Sequence, residues 1–285
     1  MSINLAPYIK LARIDRPIGT WLLLFPCWWA LAFFPLNMEV IKYYILFGLG
    51  AFFMRGAGCT FNDIIDRKID AQVERTKHRP LAAGEISVTH ALVFMSVQCL
   101  LGMTVLLLMP FETQLIGLGG LALLLVYPFA KRFTNWPQLV LGMAFNFGVI
   151  MAWSAPQEMS LINLTPWALY LAGIFWTLAY DTIYALQDIS DDMRIGVKST
   201  AVLFGERVIS FIDLFYALFF VALILAGYIA ELHLLYYAVL GIGYLSVFWQ
   251  RLQLDPADPE SCRNKFRANQ WVGWIVLLAI HIGKL

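Results

Sequence analysis

The chain has 285 residues, 60% of them apolar and 14% charged, where a soluble domain carries about a quarter charged residues. With a mean hydropathy of +0.71 it has too little polar side chain to clothe a water-facing globule, so the composition selects a membrane protein. A net charge of +1 points to no partner by bulk attraction, and only the placement of the charges informs.

A membrane-spanning helix needs about 20 mostly apolar residues, and on that criterion about nine stretches qualify. In chain order they are Pro17–Leu36, Ile41–Phe61, Ser87–Met109, Gln114–Ala130, Pro137–Ala155, Pro166–Gln187, Val208–Ala230, Leu232–Gln250 and Ala268–Gly283. Pro17, Pro137 and Pro166 stand where a helix start tolerates proline. Lys10, Arg13 and Arg16 precede the first stretch and no small-residue cleavage site follows it, so it is expected to be a retained spanning helix. The expected fold is an all-α integral membrane protein, a single polytopic domain over 1–285.

With the N-terminus inside, the basic residues fall almost entirely on one face. Lys10, Arg13 and Arg16 lead in; Arg67, Lys68, Arg75, Lys77 and Arg79 follow the second stretch. Lys131 and Arg132 follow the fourth, Arg194, Lys198 and Arg207 the sixth, and Arg251, Arg263, Lys265 and Arg267 the eighth. The other face receives Lys42 and Lys284. Cytoplasmic loops attract Lys and Arg, so the bias predicts an N-terminus and a functional face on the cytoplasmic side. Trp28, Trp29, Trp136, Trp167 and Trp249 lie near predicted helix ends and are expected to form an interfacial belt. Gly117, Gly119, Gly120, Gly241 and Gly243 are expected to pack helices. Cys27, Cys59, Cys99 and Cys262 show no metal or disulfide spacing and are expected to be small buried residues.

Two acidic segments carry the chemistry. In Asn62-Asp63-Ile64-Ile65-Asp66-Arg67-Lys68-Ile69-Asp70, residues Asn62, Asp66 and Asp70 recur at i, i+4 and i+8 and share a helix face, with Asp63 adjoining. Like charges at that spacing repel, and they extend a helix C-terminus, the wrong end of the dipole for acids. Such a stripe calls for a cation. In the segment Asp181–Asp192, residues Asp181, Asp188 and Asp192 fall on one helical stripe, and Asp181 lies within the apolar sixth stretch, where an ionisable group is a functional candidate. Oxygen-only ligands suit Mg2+, which takes one or two carboxylates, water and substrate phosphate oxygens. His78 stands alone on its loop. Arg55 lies inside the second stretch, seven residues before Asn62, and implies either an anionic ligand or an internal ion pair. Carboxylates, Mg2+ and Arg/Lys together make a diphosphate site, and the membrane setting implies a lipid tail on that diphosphate.

At these residues the sequence resembles the UbiA superfamily of membrane prenyltransferases. Asn62–Asp70 matches every fixed position of that family's NDxxDxxxD motif, Asp188 and Asp192 its DxxxD motif, and Tyr127 with Lys131 its YxxxK motif. Softer matches point to the branch that prenylates 4-hydroxybenzoate in ubiquinone biosynthesis. They are Arg13-Ile-Asp-Arg-Pro-Ile-Gly-Thr20, Met54-Arg-Gly-Ala-Gly-Cys59, Arg75-Thr-Lys-His-Arg-Pro80, Tyr180-Asp-Thr-Ile-Tyr184 and Gly196-Val-Lys-Ser-Thr-Ala201. The resemblance implies a nine-helix bundle around a central cavity open sideways to lipid, in a bacterial inner (plasma) membrane. It also implies two Mg2+ ions bridging the acidic motifs through a polyprenyl diphosphate.

On that reading Asn62, Asp66 and Asp70 hold one Mg2+, with Asp63 nearby, and Asp188 and Asp192 hold the other. Arg67, Lys131 and Lys198 contact the diphosphate, and Tyr127 either joins them or is interfacial. Arg132 and Arg55 are candidates to clamp the acceptor carboxylate, with Arg13 and Arg16 behind them. Asp181 orients the phenol or one of these arginines. A naphthoate, homogentisate or haem acceptor would use the same donor site, so the acidic motifs do not separate these. A cation transporter would place its carboxylates near the midplane and away from so many basic residues.

Overall fold

The computed structural model describes residues 5–156 and 162–285, and the described residues form helices and connecting turns with no strand. In chain order the helices are α1 (Ala6–Leu11), α2 (Ile18–Leu31), α3 (Met38–Asp70), α4 (Val88–Leu107), α5 (Phe111–Phe133), α6 (Pro137–Asn146) and α7 (Gly148–Ser154). They continue with α8 (Thr165–Ala185), α9 (Ile189–Ile195), α10 (Thr200–Phe204), α11 (Val208–Ile229), α12 (Leu234–Leu252) and α13 (Pro259–Gly283). Every apolar stretch read from the sequence finds a helix, the fifth in two pieces separated at Phe147. Six spans are long and apolar enough to cross a membrane: Met38–Asp70, Val88–Leu107, Phe111–Phe133, Pro137–Ser154, Thr165–Ile195 and Thr200–Ile229. The apolar α2 has 14 residues, so nine crossings is an approximate count.

Lipid offers no hydrogen-bond partner to the backbone, which is why the spans are helical throughout. Their ends carry side-chain caps that satisfy the first free N–H groups. Asn37 accepts from the Val40 amide at 2.8 Å, Ser87 from His90 at 3.2 Å, and Asp258 from Glu260 and Ser261 at 2.9 and 3.1 Å. Pro137 opens α6 and Pro166 sits in the first turn of α8.

The bundle is built around α8, which packs against α11, α6, α13, α7 and α2. α4 and α5 form a thin wall on one side, and Leu92, Val93, Val97, Leu100, Leu115 and Leu118 face outward from it. The core beside α8 is aromatic: Trp29 and Trp176 lie 4.9 Å apart between ring centroids, and Trp176 stacks on Phe219 at 5.9 Å. Trp29 is therefore no belt residue. It is fully buried and donates its indole N–H to the Gly273 carbonyl at 2.9 Å. Trp136, Trp167 and Trp249 are exposed.

Buried polar groups tie the spans together, as expected where apolar contact alone does not favour helix association over lipid. Asn269 on α13 accepts from the Trp176 indole at 2.8 Å and from the Tyr216 hydroxyl at 3.1 Å, joining α8 and α11. Asn146 on α6 donates to Thr177 on α8 at 2.9 Å. Gly173 makes room for that contact, because a Cβ there would collide with the Asn146 side chain. Of the glycines expected to pack helices, Gly117, Gly120 and Gly243 do so, whereas Gly119 and Gly241 face open space. Three cysteines are buried as expected, but Cys99 is exposed on α4.

Candidate active site

The first acidic motif forms the last turns of α3, and its three carboxylates are buried: Asp63 is 1% exposed, Asp66 0% and Asp70 5%. Buried charges must be paired, and the structure pairs them from three directions. From the turn after α1, Arg13 gives its Nη2 to both oxygens of Asp63, each at 2.8 Å. From the loop after α3, Arg79 gives its Nη1 to Asp63 at 3.0 Å and to Asp70 at 2.9 Å. From the end of α5, Lys131 forms an ion pair with Asp66, and Arg132 stands 3.6 Å from the same carboxylate. The stripe inferred from the sequence is thus divided between two counter-ion sets, Asp63 with Asp70 and Asp66 apart from them.

The second motif departs from the sequence expectation in its backbone. α8 ends at Ala185, a 3-10 turn covers Leu186–Asp188, and α9 restarts at Ile189. Asp181, Asp188 and Asp192 therefore do not share one continuous helical stripe. The turn lets Arg75 reach Asp188 with a two-point grip, Nε donating at 2.8 Å and Nη2 to the other oxygen. The same guanidinium donates to the Tyr184 hydroxyl at 2.7 Å and lies over its ring at 4.7 Å. Burial alone would weaken the charge on Arg75, but Tyr184 and Asp188 outweigh it and hold the pKa above the ordinary arginine value. Asp191 accepts from the Glu74 amide at 3.0 Å.

Two bridges bring the motifs together. One is the loop after α3: Arg79 holds Asp63 and Asp70 while Arg75, four residues earlier, holds Asp188. The other is the end of α5: the Lys131 side chain pairs with Asp66, and its carbonyl accepts from the Lys198 amide at 3.2 Å, just after the second motif. Gly196, with φ of +74°, ends α9 in the left-handed conformation and turns the chain toward that contact.

Beneath the bridges lies a cavity of about 390 Å³. Of the candidate site residues read from the sequence, Arg13, Arg16, Arg55, Asn62, Asp63, Tyr127 and Asp181 line it, whereas Asp66, Asp70, Asp188, Asp192, Lys131, Arg132 and Lys198 do not. Arg55 sits over the Phe145 ring at 5.5 Å, and its buried Nε has no hydrogen-bond partner. Gly19 leaves space for this guanidinium, since a Cβ there would overlap it. Among the described residues Arg55 makes no ion pair, which favours the ligand alternative over the internal pair. Arg67 is exposed and is not a lining residue. Lys198 turns its ammonium to the Phe133 carbonyl, and Arg132 donates to the Ile65 carbonyl at 3.1 Å. Asp192 is half-buried. Arg13, Arg75, Arg79 and Tyr184, which sequence reasoning had not placed on the carboxylates, supply much of the network. The i, i+4 spacing of Arg75 and Arg79 beside the acidic motif was the available signal.

The donor set fits a hard divalent cation. Both Asp66 oxygens are buried and accept no hydrogen bond, because the Lys131 ammonium balances the charge off hydrogen-bonding geometry. Their counter-charge comes from the Lys131 ammonium and, farther off, the Arg132 guanidinium, and their lone pairs remain free of hydrogen bonds. Among the described residues no three carboxylate, His or Cys groups converge as a ready-made cage. The carboxylate oxygens present are hard ligands of the kind Mg2+ takes beside water and phosphate oxygens.

The model of the UbiA prenyltransferase family matches residues 23–274. The chain belongs to this family. A UbiA relative from Drosophila pseudoobscura pseudoobscura, 4-hydroxybenzoate polyprenyltransferase, mitochondrial, is 46% identical over 98% of this chain and 70% of its own. Among solved structures, a UbiA homolog from Aeropyrum pernix K1 in its apo form superposes with a TM-score of 0.77. It is 25% identical and covers 94% of this chain and 98% of its own. A UbiA homolog from Archaeoglobus fulgidus, bound to GPP and Mg2+, gives a TM-score of 0.73 at 20% identity, covering 97% and 98% of the two chains. The UbiA assignment makes the chain a multi-pass membrane prenyltransferase and sets aside the transporter alternative. Divalent metal binding occurs within the family.

Proposed function

We propose that the chain transfers a polyprenyl group from a polyprenyl diphosphate to the ring carbon ortho to the hydroxyl of 4-hydroxybenzoate, a step of ubiquinone biosynthesis, with Mg2+ as cofactor. The observation that carries this is one arrangement: two carboxylate motifs bridged by Arg75 and Arg79, which line a cavity whose buried guanidinium, Arg55, makes no ion pair among the described residues. The 46% identity to a 4-hydroxybenzoate polyprenyltransferase supports the choice of acceptor.

On this reading Asn62, Asp66 and Asp70, with Asp63 beside them, and Asp188 with Asp192 would hold the metal. Bound Mg2+ supplies Lewis-acid stabilisation of charge on the leaving diphosphate. Arg75, Arg79 and Lys131 give up their carboxylates and turn to diphosphate oxygens, the guanidinium groups as two-point donors and the ammonium as a point charge. The donor C–O bond breaks with its electron pair leaving on the diphosphate, and the remaining allylic cation is attacked by the phenol ring carbon. Arg55 holds the acceptor carboxylate. Asp181 accepts a hydrogen bond from the phenol O–H, which raises electron density at the ortho carbon, and transfer of the ring proton to an oxygen of the released diphosphate restores aromaticity. The bias of basic residues supports an N-terminus and site on the cytoplasmic face.

The test is product mass spectrometry with membranes containing the protein, given 4-hydroxybenzoate and polyprenyl diphosphates of several lengths. The expected product is the 3-polyprenyl acid. Product formed only with naphthoate, homogentisate or haem would overturn the acceptor assignment.

A further inference from the structure

The cavity is lined by a second basic set that the carboxylate motifs do not engage. Arg263 and Arg267, in the opening turns of α13, line it together with Phe266 between them, and Arg16 lines it from the turn between α1 and α2. Positions i, i+3 and i+4 share one helix face, and here that face is the cavity face. Lys265, off that face, points elsewhere and donates to the Gln253 side chain at 2.7 Å. The acids local to Arg16, Arg263 and Arg267 neutralise little of this positive charge. Arg263 meets Glu260 at 3.1 Å and Arg16 meets Asp15 at 3.3 Å, but those carboxylate side chains are 69% and 38% exposed and screened by water. Arg267 makes no ion pair among the described residues.

Phe266 gives this cluster a second character. Its ring lies 4.7 Å from Tyr184 and 5.9 Å from Tyr180, so an aromatic surface runs from the mouth down to α8, where Asp181 sits. Cations flanking a fixed aromatic face recognise a flat ring that carries an anionic group.

We propose that Arg16, Arg263, Phe266 and Arg267 form a recruiting subsite that captures the carboxylate-bearing aromatic acceptor from water before it passes inward to Arg55. This rests on the aromatic-acid acceptor of the proposed function. The shared chemistry is an anion at the mouth. The donor diphosphate is the other source of such an anion, but this cluster adjoins an aromatic face and lacks the buried carboxylates that a metal-bound diphosphate uses.

The experiment compares the full-length protein with the double variant Arg263→Gln/Arg267→Gln. Acceptors are 4-hydroxybenzoate and its uncharged methyl ester, at low and high ionic strength, with donor saturating and then varied. Electrostatic focusing raises association by at least about tenfold. The expected result is therefore a KM for the acid raised about tenfold, unchanged kcat, unchanged KM for the ester, and loss of the salt dependence seen with the unaltered protein. Arg263→Lys/Arg267→Lys should keep the low KM for the acid. Equal effects on acid and ester, no change in either, or a shift in donor KM instead would overturn the subsite. If the unaltered protein prenylates neither acceptor, the proposed function falls, and the subsite with it.

Discussion

Arg79 joins Asp63 and Asp70 through a single guanidinium nitrogen, at 3.0 and 2.9 Å. The two aspartates lie seven residues apart on α3, two helical turns, so one cation from the following loop closes both. Asp63 has Arg13 as a second partner, whereas Asp70 has no other ion pair among the described residues. The ligand-free site is therefore held by its own cations.

Removing Arg79 exposes that dependence. Arg79→Met leaves Asp70 buried without a counter-charge and should destabilise the protein by about 3–5 kcal/mol. Added Mg2+ should recover part of the loss, because a ligand of the folded state stabilises it. Thermal unfolding in detergent, with and without Mg2+, measures both effects. An unchanged midpoint in metal-free buffer would show that the pair contributes nothing.

Asp66 and Asp188 carry the metal-binding proposal. Asp66→Ala and Asp188→Ala should each lower turnover by at least about 10²-fold, the scale of losing one transition-state charge contact, while the protein still inserts in the membrane. Product formation at the normal rate by either variant would remove that residue from the site.

Chelation gives an independent check. EDTA should stop prenyl transfer and Mg2+ should restore it, since carboxylate and diphosphate oxygens together make a site for a hard divalent ion. Activity that persists in EDTA would contradict the metal requirement.

Arg55→Gln tests the acceptor clamp. A hydrogen bond to a charged group contributes about 1.5–3 kcal/mol, so the KM for 4-hydroxybenzoate should rise roughly 10–100-fold with the KM for donor unchanged. The methyl ester should be used by protein and variant with similar KM. A rise in donor KM would assign Arg55 to the diphosphate instead.

The polar contacts within the bundle predict a smaller effect. Asn269→Leu removes the acceptor shared by Trp176 and Tyr216, and each such interhelical bond is worth roughly 0.6–2 kcal/mol. Unfolding in detergent should show a loss of that order with little change in the KM for either substrate.

The spans were legible because a run of apolar side chains is a local property, and the acidic motif because its spacing maps directly onto a helix face. The counter-ions were not. Whether Arg75 meets Asp188 depends on where a loop lands after α3 and α8 have packed, and the sequence carries only the i, i+4 spacing of Arg75 and Arg79. Trp29 misled for a related reason: its position near a helix end is the same whether the ring meets lipid headgroups or, as here, Gly273 and Trp176. The stripe of Asp181, Asp188 and Asp192 assumed an unbroken helix, and the 3-10 turn at Leu186–Asp188 has no proline or glycine to announce it.

The counter-ions also set an order of assembly as the chain is made. Asp63 and Asp70 are neutralised by Arg13, which precedes α3, and by Arg79, which follows it closely, so these two can settle as soon as that loop emerges. Asp66 waits for Lys131 at the far end of α5. Until then α3 carries one uncompensated charge, and the nascent protein gains by holding that helix end at the water interface until α5 arrives to seat it.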